Sequence, residues 1–318
     1  MNIFPTLIKR EYWEHKGGFL WAPIAAGSIF LIFNLLILAI GQVGANRSNI
    51  QLGAIKLNDV ASTMDARQLQ MLGVGLDATM LMVASLVMLV VGIVVFFYCL
   101  SSLYDERRDR SVLFWKSMPV SDTQTVLSKV TSALLLAPAI GIAAGILTAI
   151  GFLLLLAGFM AVNGVNAFGL IASHGSPVKM TLLLAAQLPI YALWALPTVG
   201  WLMLCSAWAR SKPFLWAVGV PVAVGILVSW FDVMRTLRMP DTSIWSDGVA
   251  RLLFSVLPGG WIETTRFENV KDPSELMSLL SIGHTYSVLL TPSVWIWAAA
   301  GAGMIFAAIR LRRWRDEG

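Results

Sequence analysis

The chain has 318 residues, 57% of them hydrophobic and 13% charged, about half the ~25% charged share of a soluble domain. With a mean hydropathy of +0.74, this composition excludes a water-soluble enzyme and a disordered tail and indicates an all-α integral membrane protein. The net charge of +5 does not indicate nucleic acid, because the basic residues are not gathered on one face with interleaved aromatics.

Residues 1–18 set Phe4, Leu7, Ile8, Tyr12 and Trp13 against Lys9, Arg10, Glu11, Glu14 and Lys16. This is the pattern of an amphipathic helix lying in a membrane interface. The apolar run that follows, 19–41, is too long for the core of a signal peptide, and Glu11 and Glu14 precede it, so it is read as a retained first span. Five further runs reach the ~20 residues needed to cross a bilayer: 78–100, 130–160, 180–209, 213–231 and 288–309. Their interiors are read as free of Asp, Glu, Lys, Arg and His. Cys99 and Cys205 lie in apolar runs with no second Cys or His nearby, which predicts free thiols and no metal site.

Between spans two and three, residues 101–129 hold the densest charge in the chain. Asp105, Glu106 and Asp109 come early and Lys116 late, as the helix dipole favours, and Glu106 and Arg110 are spaced as an i,i+4 pair. Pro119 stops the helix, and Ser121-Asp122-Thr123-Gln124 has the form of a capping box that opens the third span. Phe114 and Trp115 amid this charge suit a protein interface or an anchor at the level of the lipid headgroups, the interface being the sharper reading. In the third span Gly141 and Gly145 form a GxxxG packing face. In the fourth, Gln187, Tyr191, Trp194 and Trp201 fall roughly on one face, which either lines a translocation path or packs aromatic rings against neighbouring helices. Pro138, Pro189, Pro197 and Pro221 lie inside spans, where each is a candidate kink.

The loop at 42–77 is polar. The longer loop at 232–291 contains Ile244, Val249, Leu252, Leu253, Val256 and Leu257 at near-helical spacing ahead of Pro258-Gly259-Gly260, which predicts an interfacial or re-entrant helix. A second helix is expected at Asp272-Pro273-Ser274-Glu275, leading toward span six with a break near Gly283. Fourteen of the 23 Lys and Arg residues lie in 1–18, 101–129, 208–212 and 310–318, so both termini and the charged segment are expected on the cytoplasmic side. The whole chain, 1–318, reads as one membrane domain.

The chemistry of an enzyme is not evident. The sequence holds no HExxH and no GxSxG, and His15, His174 and His284 lie in separate non-spanning segments. His284 is a candidate to touch a substrate. The spans offer few relay groups beyond Asn34 and Gln187, which disfavours a proton-coupled carrier. There is no GxxxxGK[ST] loop, so ATP is not held by that route.

The run Glu106-Arg107-Arg108-Asp109-Arg110-Ser111-Val112-Leu113, followed by Ser117-Met118-Pro119-Val120-Ser121 and Lys129, resembles the first cytoplasmic loop of type-2 ATP-binding cassette (ABC) exporter permeases. Arg110 stands where that family often has Gly, and Met118 where it often has Leu. The motif covers about 25 residues, and the six-span layout extends the resemblance over the chain. It implies a coupling helix that contacts a separate ATPase, with Glu106, Arg107, Arg108, Phe114, Trp115 and Pro119 as contact residues, and an N-terminal elbow helix. It also implies two ATPase subunits carrying ATP and Mg, a permease homodimer or else a heterodimer, and a bacterial inner membrane location. The expected function is outward transport of a hydrophobic or amphipathic substrate by a subunit that is not itself catalytic. The alternatives are a non-transporting scaffold that recruits a cytoplasmic protein, or a secondary carrier.

Overall fold

Apolar runs of this length fold as helices because lipid offers backbone N–H and C=O groups no water, and a helix satisfies them within the segment. The computed structural model describes residues 3–47, 65–109, 120–164, 167–233, 244–261 and 281–314. Among these there is no strand, and six helices are long and apolar enough to cross a membrane. Arg110, Phe114, Trp115, Pro119 and the helix expected at Asp272–Glu275 lie outside the described residues.

An amino-terminal helix, Ile3–Glu14, leads through a π-type turn at Gly17–Trp21 into the first span, Ala22–Arg47. The second helix, Ala66–Ser102, has 37 residues. At 1.5 Å per residue that is about 55 Å, well beyond the ~30 Å of a hydrocarbon core, so its ends project from any bilayer. It starts earlier than the expected span because Asp65 and Gln68 form a capping box, with the Asp65 N–H donating to Gln68 Oε1 at 3.0 Å. The polar loop expected over 42–77 is shorter for that reason. The extension also carries Asp77 inside the helix, where it is buried and accepts the Ser176 N–H at 2.8 Å. The expectation of spans without acidic residues therefore holds only for the shorter segment.

The third span is Asp122–Thr131, a π-type turn at Ser132–Leu136, then Ala137–Val162. The fourth is Pro177–Ala186 and Leu188–Trp208, interrupted at Gln187 just before Pro189. Of the four candidate kinks, Pro138 and Pro189 thus adjoin irregular turns, whereas Pro197 and Pro221 sit inside unbroken helices. The fifth span, Pro213–Val233, follows a short connection in which Lys212 has φ 47°. The sixth, Pro292–Trp314, begins four residues later than expected. The expected break at Gly283 falls instead at Thr291: Gly283 lies within the helix Ile282–Ser287, a 3-10 turn covers Val288–Leu290, and Thr291 is extended. Pro292 accounts for this by disfavouring helical geometry in the residue before it.

Small residues set the packing. A Cβ on Gly141 would lie 2.6 Å from Val91 Cγ2, and one on Gly145 would lie 3.2 Å from the Ala84 backbone, so the GxxxG face seats span three on span two. Spans four and six make the most extensive helix contact in the fold. There Gly200 packs on the Gly301 carbonyl, and a Cβ on Gly301 would lie 2.6 Å from the Leu196 oxygen.

The segment expected to be helical before Pro258 is a π-type stretch, Ile244–Val249, followed by a helix, Ala250–Phe254. It lies against the middle of the spans. Tyr191 donates its hydroxyl to the Val256 carbonyl at 2.8 Å, Thr198 donates its hydroxyl to the Arg251 carbonyl at 3.0 Å, and a Cβ on Gly92 would lie 2.6 Å from the Val256 oxygen. Buried Arg251 lays its guanidinium over Trp194, 3.1 Å from the ring centre, a favourable cation–π placement away from water.

Candidate functional site

The charged segment leaves the second helix at Leu103 and forms a short helix, Tyr104–Arg108. Its first amides have no partner inside the helix. Ser206 at the end of span four supplies one, its Oγ accepting from Leu103 N–H at 3.1 Å and Tyr104 N–H at 2.9 Å. In return Arg107 Nη2 donates to the Ser206 and Ala209 carbonyls at 2.5 and 2.9 Å, placing a cation at the negative end of span four. The segment is thereby fastened to span four at both ends of its own short helix.

Glu106, at the centre of this helix, is buried and points into the molecule. Its carboxylate meets Lys129 Nζ at 3.0 Å and Arg312 Nη1 at 2.5 Å, with Arg10 Nη2 at 3.7 Å. Lys129 also reaches Glu11 at 3.0 Å, and Arg312 also reaches Asp122 at 3.2 Å. Tyr98 donates its hydroxyl to Glu11 at 2.8 Å. Lys129 and Glu11 are only 2% and 1% exposed, so this is a buried chain of alternating charge and not a set of surface pairs. It ties together the amino-terminal helix, the end of span two, the charged segment, the start of span three and the end of span six.

Four acids, Glu11, Glu14, Glu106 and Asp122, face the three bases Arg10, Lys129 and Arg312, so opposite charges nearly balance across the cluster. Such balance is what makes burial of ions tolerable. Burial alone would push the Glu106 carboxyl up, but the neighbouring Lys129 and Arg312 charges and their hydrogen bonds overcome it and hold the carboxyl below the ordinary 4.5. His15, Phe19 and Tyr98 pack ring against ring beside the cluster, with His15 and Tyr98 edge to face at 4.7 Å. Glu11, Glu14 and His15 each bring a ligand atom within 4.8 Å of the others. Two of the three are already neutralised, Glu14 by Arg10 at 2.6 Å and Glu11 by Lys129, so the donor set suits ion pairing and not a cation.

The amphipathic pattern of residues 1–18 places Glu11 on the polar face, yet Glu11 is buried together with Leu7 one turn before it. Lys129 is the reason: it reaches the same interior point from the other side. Of the described coupling residues, Glu106 and Arg107 are engaged inside the chain, whereas Arg108, beside the exposed Asp109 at 3.5 Å, faces outward with 67% of its side chain exposed. The capping box expected at Ser121 is present, Gln124 N–H donating to Ser121 Oγ at 3.2 Å and Ser121 N–H to Gln124 Oε1 at 3.4 Å.

The four candidate path residues separate. Gln187 and Tyr191 line one cavity. Trp194 lies under Arg251, and Trp201 donates its indole N–H to the Ala217 carbonyl in span five at 2.9 Å. Sequence reasoning missed Arg312, Tyr98 and Arg251 as buried partners: Tyr98 lies in the second apolar run, but nothing there marks Glu11 as its partner, and the two arginines sit in no pattern that marks burial. Lys129 was visible as the end of the motif, but its pairing with Glu106, 23 residues away, was not.

Comparison with protein-family models, with curated proteins and with solved structures found no match.

Proposed function

We propose that the chain is the transmembrane permease subunit of an ABC exporter in a bacterial inner membrane, moving a hydrophobic or amphipathic substrate outward under the drive of a separate ATPase. In this reading the termini and the charge cluster face the cytoplasm, as the distribution of Lys and Arg favours. The Ile3–Glu14 helix is the elbow, and the segment at 244–261 re-enters the bundle from the outer side. The homodimer and the two ATPase copies belong to the same proposal.

The observation that carries it is the anchoring of the charged segment. Arg107 and Ser206 fasten it to span four, and Glu106 joins it through Lys129 and Arg312 to spans three and six. A short helix held this way transmits a displacement to several spans at once, because packed elements shift as units. A loop that only enforced topology has no need of that buried chain. Its outward side offers Arg108 to a partner, and the motif adds Phe114, Trp115 and Pro119.

The test is co-expression with ABC ATPases of the same genome, followed by affinity purification of this chain. One ATPase is expected to co-purify, and Arg108→Glu combined with Trp115→Ala is expected to lower its recovery at least tenfold without changing the melting temperature of the chain. Recovery of no ATPase, or equal recovery with the double variant, contradicts the proposal.

A further inference from the structure

About midway along spans two and four, away from the charge cluster, spans two, three and four enclose a cavity of about 80 Å³ with the Pro258–Trp261 turn and the helix Ile282–Ser287. Its wall is apolar and aromatic, including Met88, Tyr191 and Trp261. Three polar side chains converge on it: Ser85, Gln187 and His284. The Tyr191 hydroxyl is occupied by the Val256 carbonyl and the Thr285 hydroxyl by the Ser281 carbonyl. In contrast, the side chains of Ser85, Gln187 and His284 make no hydrogen bond within the described chain. Gln187 and His284 are half-buried and Ser85 is exposed, so all three keep hydrogen-bonding capacity for a molecule entering the cavity, and an apolar pocket with a few convergent polar groups is the usual form of a small-molecule site.

The chemistry narrows the ligand. No Asp, Glu, Lys or Arg lines the cavity, and an ion without a counter-charge is costly at such a depth. The volume admits several water-sized groups but is well short of the ~300 Å³ at which whole drug-sized ligands begin. Ser85 is the exposed member of the set, so the cavity wall reaches the surface of the second helix there. Ser85 lies 17 residues before Ser102 along the helix, about 26 Å at 1.5 Å per residue, within the ~30 Å of hydrocarbon.

We propose that this cavity binds uncharged amphiphiles end-on from the surrounding lipid, Gln187 and His284 holding an alcohol, amide or ester head while the apolar tail leaves past Ser85. Binding is a property of this chain alone; its use as a station on the transport path rests on the exporter reading.

The experiment uses the full-length chain in lipid nanodiscs, a diazirine-bearing eight-carbon alcohol as probe, and mass spectrometry to locate adducts. Saturable labelling at Met88, Tyr191 or Trp261 is expected, and excess 1-octanol competes it away. Gln187→Leu combined with His284→Leu lowers it at least fivefold, and the matching eight-carbon trimethylammonium probe labels these positions at least fivefold less. Ser85→Trp changes an exposed residue and closes the cavity at that surface, so it gives the same loss should the double variant fail to fold. Labelling that rises linearly and spreads over lipid-facing Leu86 and Ile296 overturns the proposal, as does unchanged labelling in the variants or equal labelling by the ammonium probe. No ATPase takes part, so failure here leaves the exporter reading standing, and failure of ATPase association leaves this site standing.

Discussion

Lys129 is the residue on which the charge cluster turns, since among the described residues it contacts both Glu11 and Glu106 at 3.0 Å while only 2% exposed. Removing one partner of a buried ionic pair typically costs about 3–5 kcal/mol, whereas replacing both with apolar groups is often near neutral. Lys129→Met is therefore expected to lower the stability of the purified chain by roughly 3 kcal/mol or more. Adding Glu11→Leu is expected to return part of the loss, a positive coupling in a double-mutant cycle read by chemical or thermal unfolding. Glu106 adds a pH dependence. Its folded carboxyl lies below its ordinary value, so its contribution is complete above pH 4.5 and is lost as pH falls below that. Thermal stability is expected to fall below pH 4.5 more steeply in the wild type than in Glu106→Gln. At this scale the sequence displayed the charges but not their partners, because burial of an ion depends on residues far apart in the chain: Glu11 to Lys129, Glu106 to Arg312.

Among elements, local signals carried well. The Ser121 capping box, the apolar runs and the GxxxG face of span three all state short-range physics that tertiary context does not reverse. Where the elements end differently, the cause is also local and was legible: Asp65 and Gln68 start the second helix early, and Pro292 sets the start of the sixth. The pairing of Gly200 with Gly301 was not legible, because two single glycines on helices a hundred residues apart carry no joint pattern. It is nonetheless the tighter contact. Any side chain at Gly200 meets the Gly301 backbone, and overpacking of a close interface costs about 1–3 kcal/mol. Gly200→Val is expected to destabilise the chain by at least that much, and Gly219→Val, where no atom lies within 4 Å of a built Cβ, is expected to be near neutral. Equal melting temperatures for the two variants would contradict this packing.

For the molecule as a whole, the number of spans and the helical class were readable from hydropathy, since a bilayer allows few other solutions to a chain of this composition. The arrangement that matters for function was not readable. The charge cluster joins five elements at one end of the bundle, and the uncharged cavity lies midway along the spans, walled in part by the segment at 244–261. If the end holding the cluster receives a force from an ATPase, the outward-facing Arg108 lies at the contact. The most direct measurement is a photo-crosslinking amino acid introduced at position 108 in living cells, with position 295, exposed on span six near the opposite end, as the control. Irradiation is expected to join position 108, and not position 295, to an ABC ATPase identified by mass spectrometry; crosslinks from position 108 to lipid or to unrelated proteins alone would contradict the account.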